Sequence, residues 1–243
     1  MAATQDKQER NPGGNQRASE LSFAEKLIEF IQRNRKILFV GFIAIAVALI
    51  GSIVGLTVRE RVTANAFLAI DAFEQRHVDL AEYIGSEDVG ALLRQGEITA
   101  LLEELALFSA RNSGFAAARA HSMRADIFER QERWSLAESA WVAAANAAQR
   151  TYFAPIALFN AAVAAEEQGN LETALDLYTR VQAHENASFL AVRAQFSVGR
   201  LEEARNNTEA ALSAYRLLLS RWPHDALFAS LAQSRIITLT EER

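Results

Sequence analysis

The pattern that organises this chain is clearest in GNLETALDLY, residues 169–178. Its Ala174 has counterparts at Ala137 and Ala211, each 37 residues from the next. Three more positions keep this register: a small residue twelve before each alanine (Ala125, Ala162, Gly199), an aromatic four after (Trp141, Tyr178, Tyr215) and an apolar residue seven after (Ala144, Val181, Leu218). Small residues let two helices approach closely, so each copy predicts a helical hairpin. Such a hairpin cannot bury its own face, and copies therefore stack into a solenoid.

The spacing resembles the tetratricopeptide repeat, with about three extra residues in each connecting turn. The resemblance covers residues 118–223, and its best-kept marks are Gly169–Ala174 and Ala211–Tyr215 followed by Pro223. The first copy departs from the family pattern, because Glu132 stands where the turn glycine usually is and Arg124 occupies an apolar position. The resemblance implies a solenoid of three to four hairpins with a C-terminal capping helix.

Composition narrows the class of protein. Half of the 243 residues are apolar, only three are proline, and alanine is abundant, which favours an all-α fold. The chain has no cysteine, which excludes disulfides, thiol catalysis and cysteine-ligated metals. Its net charge of −5 gives no reason to expect a nucleic-acid surface.

The N-terminal region predicts a membrane anchor. Residues 1–20 are polar and predict a disordered cytoplasmic tail. A capping box at residues 22–25 opens a lead-in helix, 21–36, whose apolar side is either a simple extension of the next helix or an amphipathic segment on the membrane or a partner. Residues 37–58 carry no charge and are long enough to cross a bilayer as a single transmembrane helix.

Charge predicts the orientation of this anchor. The 36 residues before the span hold seven Lys or Arg and the 36 after it hold four, so the N-terminus is expected in the cytoplasm. Everything after the span is then expected outside the cytoplasm, with membrane lipid around the span. A face of small residues in the span could pack against another transmembrane helix and form a homodimer: Ala48, Gly51, Ser52 and Gly55.

The rest of the chain is predicted helical. Residues 59–114 form a helical linker and a degenerate first hairpin, with turns at Gly85 and Gly96. Residues 115–243 hold the repeats and a capping helix, which begins after Asp225 and covers the last hairpin with Leu227, Leu231 and Ile236 or Ile237.

No catalytic constellation is recognisable in the sequence. The four histidines have no metal-ligand spacing, and neither a phosphate-binding glycine loop nor a nucleophile elbow is present. The sequence therefore predicts no catalytic residues, no metal and no cofactor, and a protein that is not an enzyme.

A partner-binding groove is the remaining expectation. In tetratricopeptide proteins the first helix of each hairpin lines a concave groove. Transfer of those positions by register selects Arg119, Ser122, Asp126, Arg130, Phe159, Val163, Glu166, Arg193, Phe196 and Arg200. The two phenylalanines either contact an extended peptide or helix, or pack between hairpins as core.

The order of lead-in, single span and repeats resembles the bacterial ancillary SecYEG-translocon subunit family. This resemblance implies a location in the bacterial inner membrane, with the C-terminal domain in the periplasm, and an adaptor that contacts the translocon and periplasmic chaperones. The alternative is a membrane-anchored scaffold for another envelope assembly, such as outer-membrane biogenesis, division or a motor, dimerised through the small-residue face.

Overall fold

A computed structural model describes residues 14–86, 89–185, 187 and 189–241 of the chain. The chain divides into two compact units, Met1–Thr63 and Ala64–Arg243. Every regular element among the described residues is a helix: α1 (Gly14–Leu80), α2 (Val89–Arg111), α3 (Gly114–Arg130), α4 (Trp134–Ala147), α5 (Phe153–Glu167), α6 (Leu171–Ala183), α7 (Ala191–Ala204), α8 (Thr208–Arg221) and α9 (Ala226–Glu241). The predicted all-α class is confirmed.

The first unit contains an apolar stretch of α1, Glu25–Val54. Among the described residues this is the one helical segment long and apolar enough to cross a membrane. None of it is buried, and Ile37 and Phe42 are 72% and 71% exposed. It overlaps the predicted span, 37–58, although the surroundings of side chains 55, 56 and 58 lie outside the described part. An apolar face of this size is typical of a surface that meets a partner or a membrane.

Helix α1 begins earlier than the sequence suggested. It starts at Gly14, inside the segment 1–20 predicted as a disordered tail, and residues 1–13 lie outside the described part. Ser22 is inside this helix instead of at its N-cap. The residues from Gln16 to Glu20 include good helix formers and no proline, so nothing stops the helix at the capping box. The proposed segment boundaries stay predictions.

Three successive hairpins make up most of the second unit. Helix α3 pairs with α4, α5 with α6 and α7 with α8, and each hairpin packs against the next. The three alanines of the repeat, Ala137, Ala174 and Ala211, are fully buried. Gly199 shows why a small residue is needed opposite the aromatic one, because a Cβ there would come 2.5 Å from Cε1 of Tyr215.

The turn inside each hairpin uses the same backbone conformation. Glu132, Gly169 and Asn206 are 37 residues apart and have φ values of 55°, 73° and 60°. Glycine adopts this left-handed region without steric cost, whereas a residue with a Cβ is strained there. The first hairpin therefore forms the same turn as the other two, with a residue that is poorly suited to it.

Side chains near the end of α1 contact α2 in antiparallel order, ahead of the three hairpins. The rings of Phe73 and Phe108 lie 5.5 Å apart, and Arg76 donates to Glu104 at 2.5 Å. Helix α2 is unbroken, so the turn predicted at Gly96 is wrong. One glycine costs only about 1 kcal/mol in a helix, and the buried residues that follow it hold α2 together.

Buried side chains in the described residues form three clusters. The N-terminal cluster joins the end of α1 with α2 and α3, the middle cluster runs from α3 to α7, and the C-terminal cluster joins α7, α8 and α9. In α9 the buried residues are Ala232 and Leu239, while Leu227 and Leu231 are 63% and 41% exposed. Ile237 is also exposed, whereas Ile236 packs against the C-terminal cluster. The predicted core face is therefore confirmed at Ile236 and wrong at Leu227, Leu231 and Ile237, because the helix is rotated by about one residue, or 100°.

Candidate partner-binding groove

Each hairpin carries the same hydrogen bond between its two helices. The aromatic side chain of the second helix donates to a glutamate of the first: Trp141 Nε1 to Glu129 Oε1 (2.7 Å), Tyr178 Oη to Glu166 Oε1 (2.6 Å) and Tyr215 Oη to Glu203 Oε1 (2.5 Å). Sequence reasoning missed this bond. The signal was present, because the glutamates and the aromatic residues both recur every 37 residues with a constant offset of twelve.

A second set of contacts joins the first helix of one hairpin to the next groove-lining helix. We call each of these contacts a rung. Arg200 of α7 donates to Glu166 Oε2, and Arg235 of α9 donates through Nε to Glu203 Oε1 at 3.1 Å. A third rung joins His77 Nε2 and Asp126 Oδ2, 2.9 Å apart, between the end of α1 and α3.

The rungs set the charge states of the groove. Burial disfavours the charged form of Glu203, but the hydrogen bonds from Arg235 and Tyr215 outweigh it and hold the pKa of this carboxyl below its usual range. Burial and the adjacent carboxylates raise the pKa of the Tyr178 and Tyr215 hydroxyls. Both hydroxyls therefore remain protonated donors at neutral pH.

An open cavity of about 390 Å³ lies over α5, α7 and α9. It brings together six of the ten predicted groove residues: Phe159, Val163, Glu166, Arg193, Phe196 and Arg200. Glu167, Tyr178, Ser197 and Phe228 complete its lining. The cavity thus combines aromatic rings with charges of both signs.

The two phenylalanines of the cavity differ in burial. Phe159 is 5% exposed and packs edge-on against Tyr178, with 5.1 Å between ring centroids, as expected of a core residue. Phe196 is half-buried between Tyr215 and Phe228. The guanidinium of Arg193 lies 4.7 Å above the Phe159 ring. The binding role of these residues stays a prediction.

The four predicted groove residues of the first hairpin do not line this cavity. They are engaged within the second unit: Arg119 with Glu74, Ser122 with the carbonyl of Arg119, Asp126 with His77, and Arg130 with Asp126 and the carbonyl of Ala81. The end of α1 thus covers the face of α3 that would otherwise begin the groove.

Two polar side chains of α3 lie at positions where the second hairpin has buried apolar residues. His121 stands where the second hairpin has Leu158, and its Nδ1 has no hydrogen-bond partner among the described residues. The Nε of Arg124 is likewise buried without a described partner. Burial, and then the charge of Arg124, lowers the pKa of His121, and burial lowers the pKa of Arg124.

The small-residue face of the apolar helix is open. Ala48, Gly51 and Ser52 are exposed, and a Cβ added at Gly51 would meet nothing within 4 Å. The surroundings of Gly55 lie outside the described part. Elsewhere in the described residues, no group of three or more His, Asp or Glu side chains could hold a metal ion.

Comparison with known proteins agrees with this geometry. Residues 156–184, which fall in the α5–α6 hairpin, match the tetratricopeptide repeat. The three hairpins are tetratricopeptide-type repeats. A TPR repeat-containing protein of Treponema pallidum (strain Nichols) is 42% identical over 127 residues. The match covers 52% of this chain and 52% of that protein, so the chain spans about half the length of the curated relative it matches.

Proposed function

We propose that this chain is a membrane-anchored adaptor that binds other proteins through the groove of its tetratricopeptide-type repeats. The observation that carries the proposal is the open cavity over α5, α7 and α9, where half-buried Phe196 lies beside exposed Arg193 and Glu167. Protein interfaces concentrate binding energy in aromatic and arginine side chains of this kind. The absence of a recognisable nucleophile, base or metal site in the sequence favours binding over catalysis.

The exposed apolar stretch of α1 supports the anchor. A helix of 30 residues at 1.5 Å per residue exceeds the ~30 Å hydrocarbon core of a bilayer. The excess of Lys and Arg before the span supports a cytoplasmic N-terminus and a periplasmic repeat domain. In this location the partners we propose are the SecYEG translocon and periplasmic chaperones, as the resemblance to the ancillary translocon subunit family implies.

Photocrosslinking tests the adaptor function. A photoreactive phenylalanine analogue at Phe196 should capture a partner in intact membranes, because this ring borders the cavity. The matched control is Leu217, a 43% exposed apolar residue of α8 that does not line the cavity. Capture of SecY or of a periplasmic chaperone at Phe196 alone supports the full proposal. Equal yields of adducts at both positions, or none at either, contradict it.

Cysteine labelling tests the orientation. The chain has no cysteine, so single substitutions at exposed Gln32 and Ser213 give one thiol each. A membrane-impermeant maleimide added to spheroplasts should label Ser213→Cys and spare Gln32→Cys until the membrane is lysed. Labelling of Gln32→Cys alone reverses the orientation.

The open small-residue face supports a second candidate, the dimeric scaffold. Gly51→Ile fills this face, whereas Gly51→Ala adds one methyl group where space is free. Loss of a crosslinked homodimer in the isoleucine variant but not in the alanine variant favours the scaffold. Loss of a translocon contact in the same variant, with no homodimer in the wild type, favours the adaptor.

A further inference from the structure

We propose that the groove takes an arginine side chain of the partner polypeptide onto Oε2 of Glu129. This inference rests on the proposed adaptor function, because it names the chemistry by which the same groove recognises its partner. It follows from a comparison of Glu129 with its counterparts in the other two hairpins, Glu166 and Glu203.

Glu129, the equivalent glutamate of the first hairpin, has no arginine partner of this kind among the described residues. Glu166 is paired with Arg200, which lies 34 residues further along the chain, and Glu203 is paired with Arg235. The residue that corresponds to Arg200 for Glu129 is Val163. Glu166 and Glu203 are therefore each paired with an arginine, whereas Glu129 is in register with an apolar side chain.

The carboxylate of Glu129 keeps one oxygen available. Trp141 occupies Oε1, and Oε2 accepts no hydrogen bond in the part of the chain that the structure describes. The neighbouring Asp126 has its own partners, His77 and Arg130. Burial raises the pKa of Glu129, and neither the Trp141 bond nor the nearby charge of Arg130 cancels this effect. In Glu203 a paired arginine reverses the same burial effect.

The rungs at Glu166 and Glu203 indicate which chemical group would bind Glu129. Both glutamates that are satisfied use an arginine, and Arg235 contacts both oxygens of its carboxylate. Guanidinium groups match carboxylates in this two-pronged geometry and lose less hydration than ammonium groups. Glu129 itself does not line the cavity, but Val163, which stands to it as Arg200 stands to Glu166, is half-buried and does. An incoming arginine whose stem lies against this valine can therefore place its charge on Glu129.

The test uses peptides selected on the full chain. Short random peptides displayed on phage are selected against the protein in nanodiscs, and the groove binders are synthesised with each arginine in turn replaced by citrulline. Citrulline keeps the shape of arginine but not its charge. One arginine should be essential, and its replacement should weaken binding to the wild type roughly ten- to a hundredfold, as expected for a charge-assisted hydrogen bond.

Three variants assign this effect to Glu129. In Glu129→Gln the amide oxygen still accepts from Trp141, so the fold is kept, but the citrulline penalty should fall below about threefold. Val163→Arg supplies the missing rung from within the chain and should weaken the arginine peptide about tenfold or more. Glu172→Gln removes an exposed charge of α6 that does not line the cavity and should leave the penalty unchanged.

The outcomes separate the two levels of the proposal. Groove binders without a basic residue, or a citrulline penalty equal in wild type and Glu129→Gln, overturn the arginine site and leave the adaptor function standing. Unweakened binding to Val163→Arg overturns it as well. If selection yields no peptide whose binding depends on Phe196, the groove itself is not used and both proposals fail.

Discussion

Replacement of Gly199 by alanine should destabilise the third hairpin. The new Cβ would lie 2.5 Å from Cε1, 2.7 Å from Cζ and 2.8 Å from Cδ1 of Tyr215. This ring has little freedom to move, because it is 1% exposed and its hydroxyl is bonded to Glu203 at 2.5 Å. Either the ring or helix α7 must shift.

Two opposing terms set the magnitude of this effect. Overpacking a closely packed site costs about 1–3 kcal/mol. The change from glycine to alanine inside a helix stabilises the folded chain by about 0.5–1 kcal/mol. Taken at the middle of both ranges, the net expectation is a loss of about 1 kcal/mol, or a fall in melting temperature of roughly 2–4 °C for a chain of this size.

Thermal unfolding of the purified protein in detergent, followed by circular dichroism, measures this change. The matched control is Gly96→Ala, which makes the same replacement inside α2, where a Cβ would meet nothing within 4 Å. This control should be stabilised by about 0.5–1 kcal/mol. If Gly199→Ala gained stability as Gly96→Ala does, the argument that the aromatic ring fixes the size of residue 199 would be refuted.

Three further changes test other parts of the second unit by the same assay. Glu132→Gly should stabilise the chain by about 1 kcal/mol, because it relieves a left-handed φ of 55°. Tyr178→Phe should cost about 1–2 kcal/mol, since it removes the hydroxyl that donates to Glu166. His121→Leu should make stability less dependent on pH. Burial lowers the pKa of His121 in the folded chain, so in the wild type stability is full above pH 6.5 and is lost as the pH falls from there towards the folded pKa.

Each of these changes has its own check. Gly169→Ala, at the same turn position in the second hairpin, should lose stability, and a gain there would contradict the account of the turn. For the tyrosine, the same loss should appear in Tyr215→Phe. For the histidine, melting temperatures at pH 7.5 and 5.5 decide the matter, and an equal drop in wild type and variant would show that other groups control the pH dependence.

The periodic part of the fold could be predicted from the sequence because each hairpin repeats the same steric requirement. Ala137, Ala174 and Ala211 are buried as their register indicated. The irregular parts were harder to predict. A lone glycine does not stop a helix whose next turns are buried, as Gly96 shows. Helix α9 carries apolar residues on more than one side, for example Leu227 beside Phe228, so its pattern does not fix which side faces the core.

The candidate groove was predicted in part. Transfer by register found Phe196 and Arg200 at the cavity because α7 keeps the spacing of the family. It could not foresee that the end of α1 covers Asp126 through His77, since the segment between them has no repeat spacing to follow. It also missed the rungs, whose partners come from different hairpins and are visible only once the helices are packed.

The three buried clusters are connected in series, since α3 and α7 each contribute to two of them. Such an arrangement responds to mechanical load in stages. If the N-terminal side is fixed and a bound partner pulls on the far side, the tension passes through every cluster in turn. The C-terminal cluster buries the fewest side chains. Helices α8 and α9 should therefore unfold first, while the other hairpins stay folded.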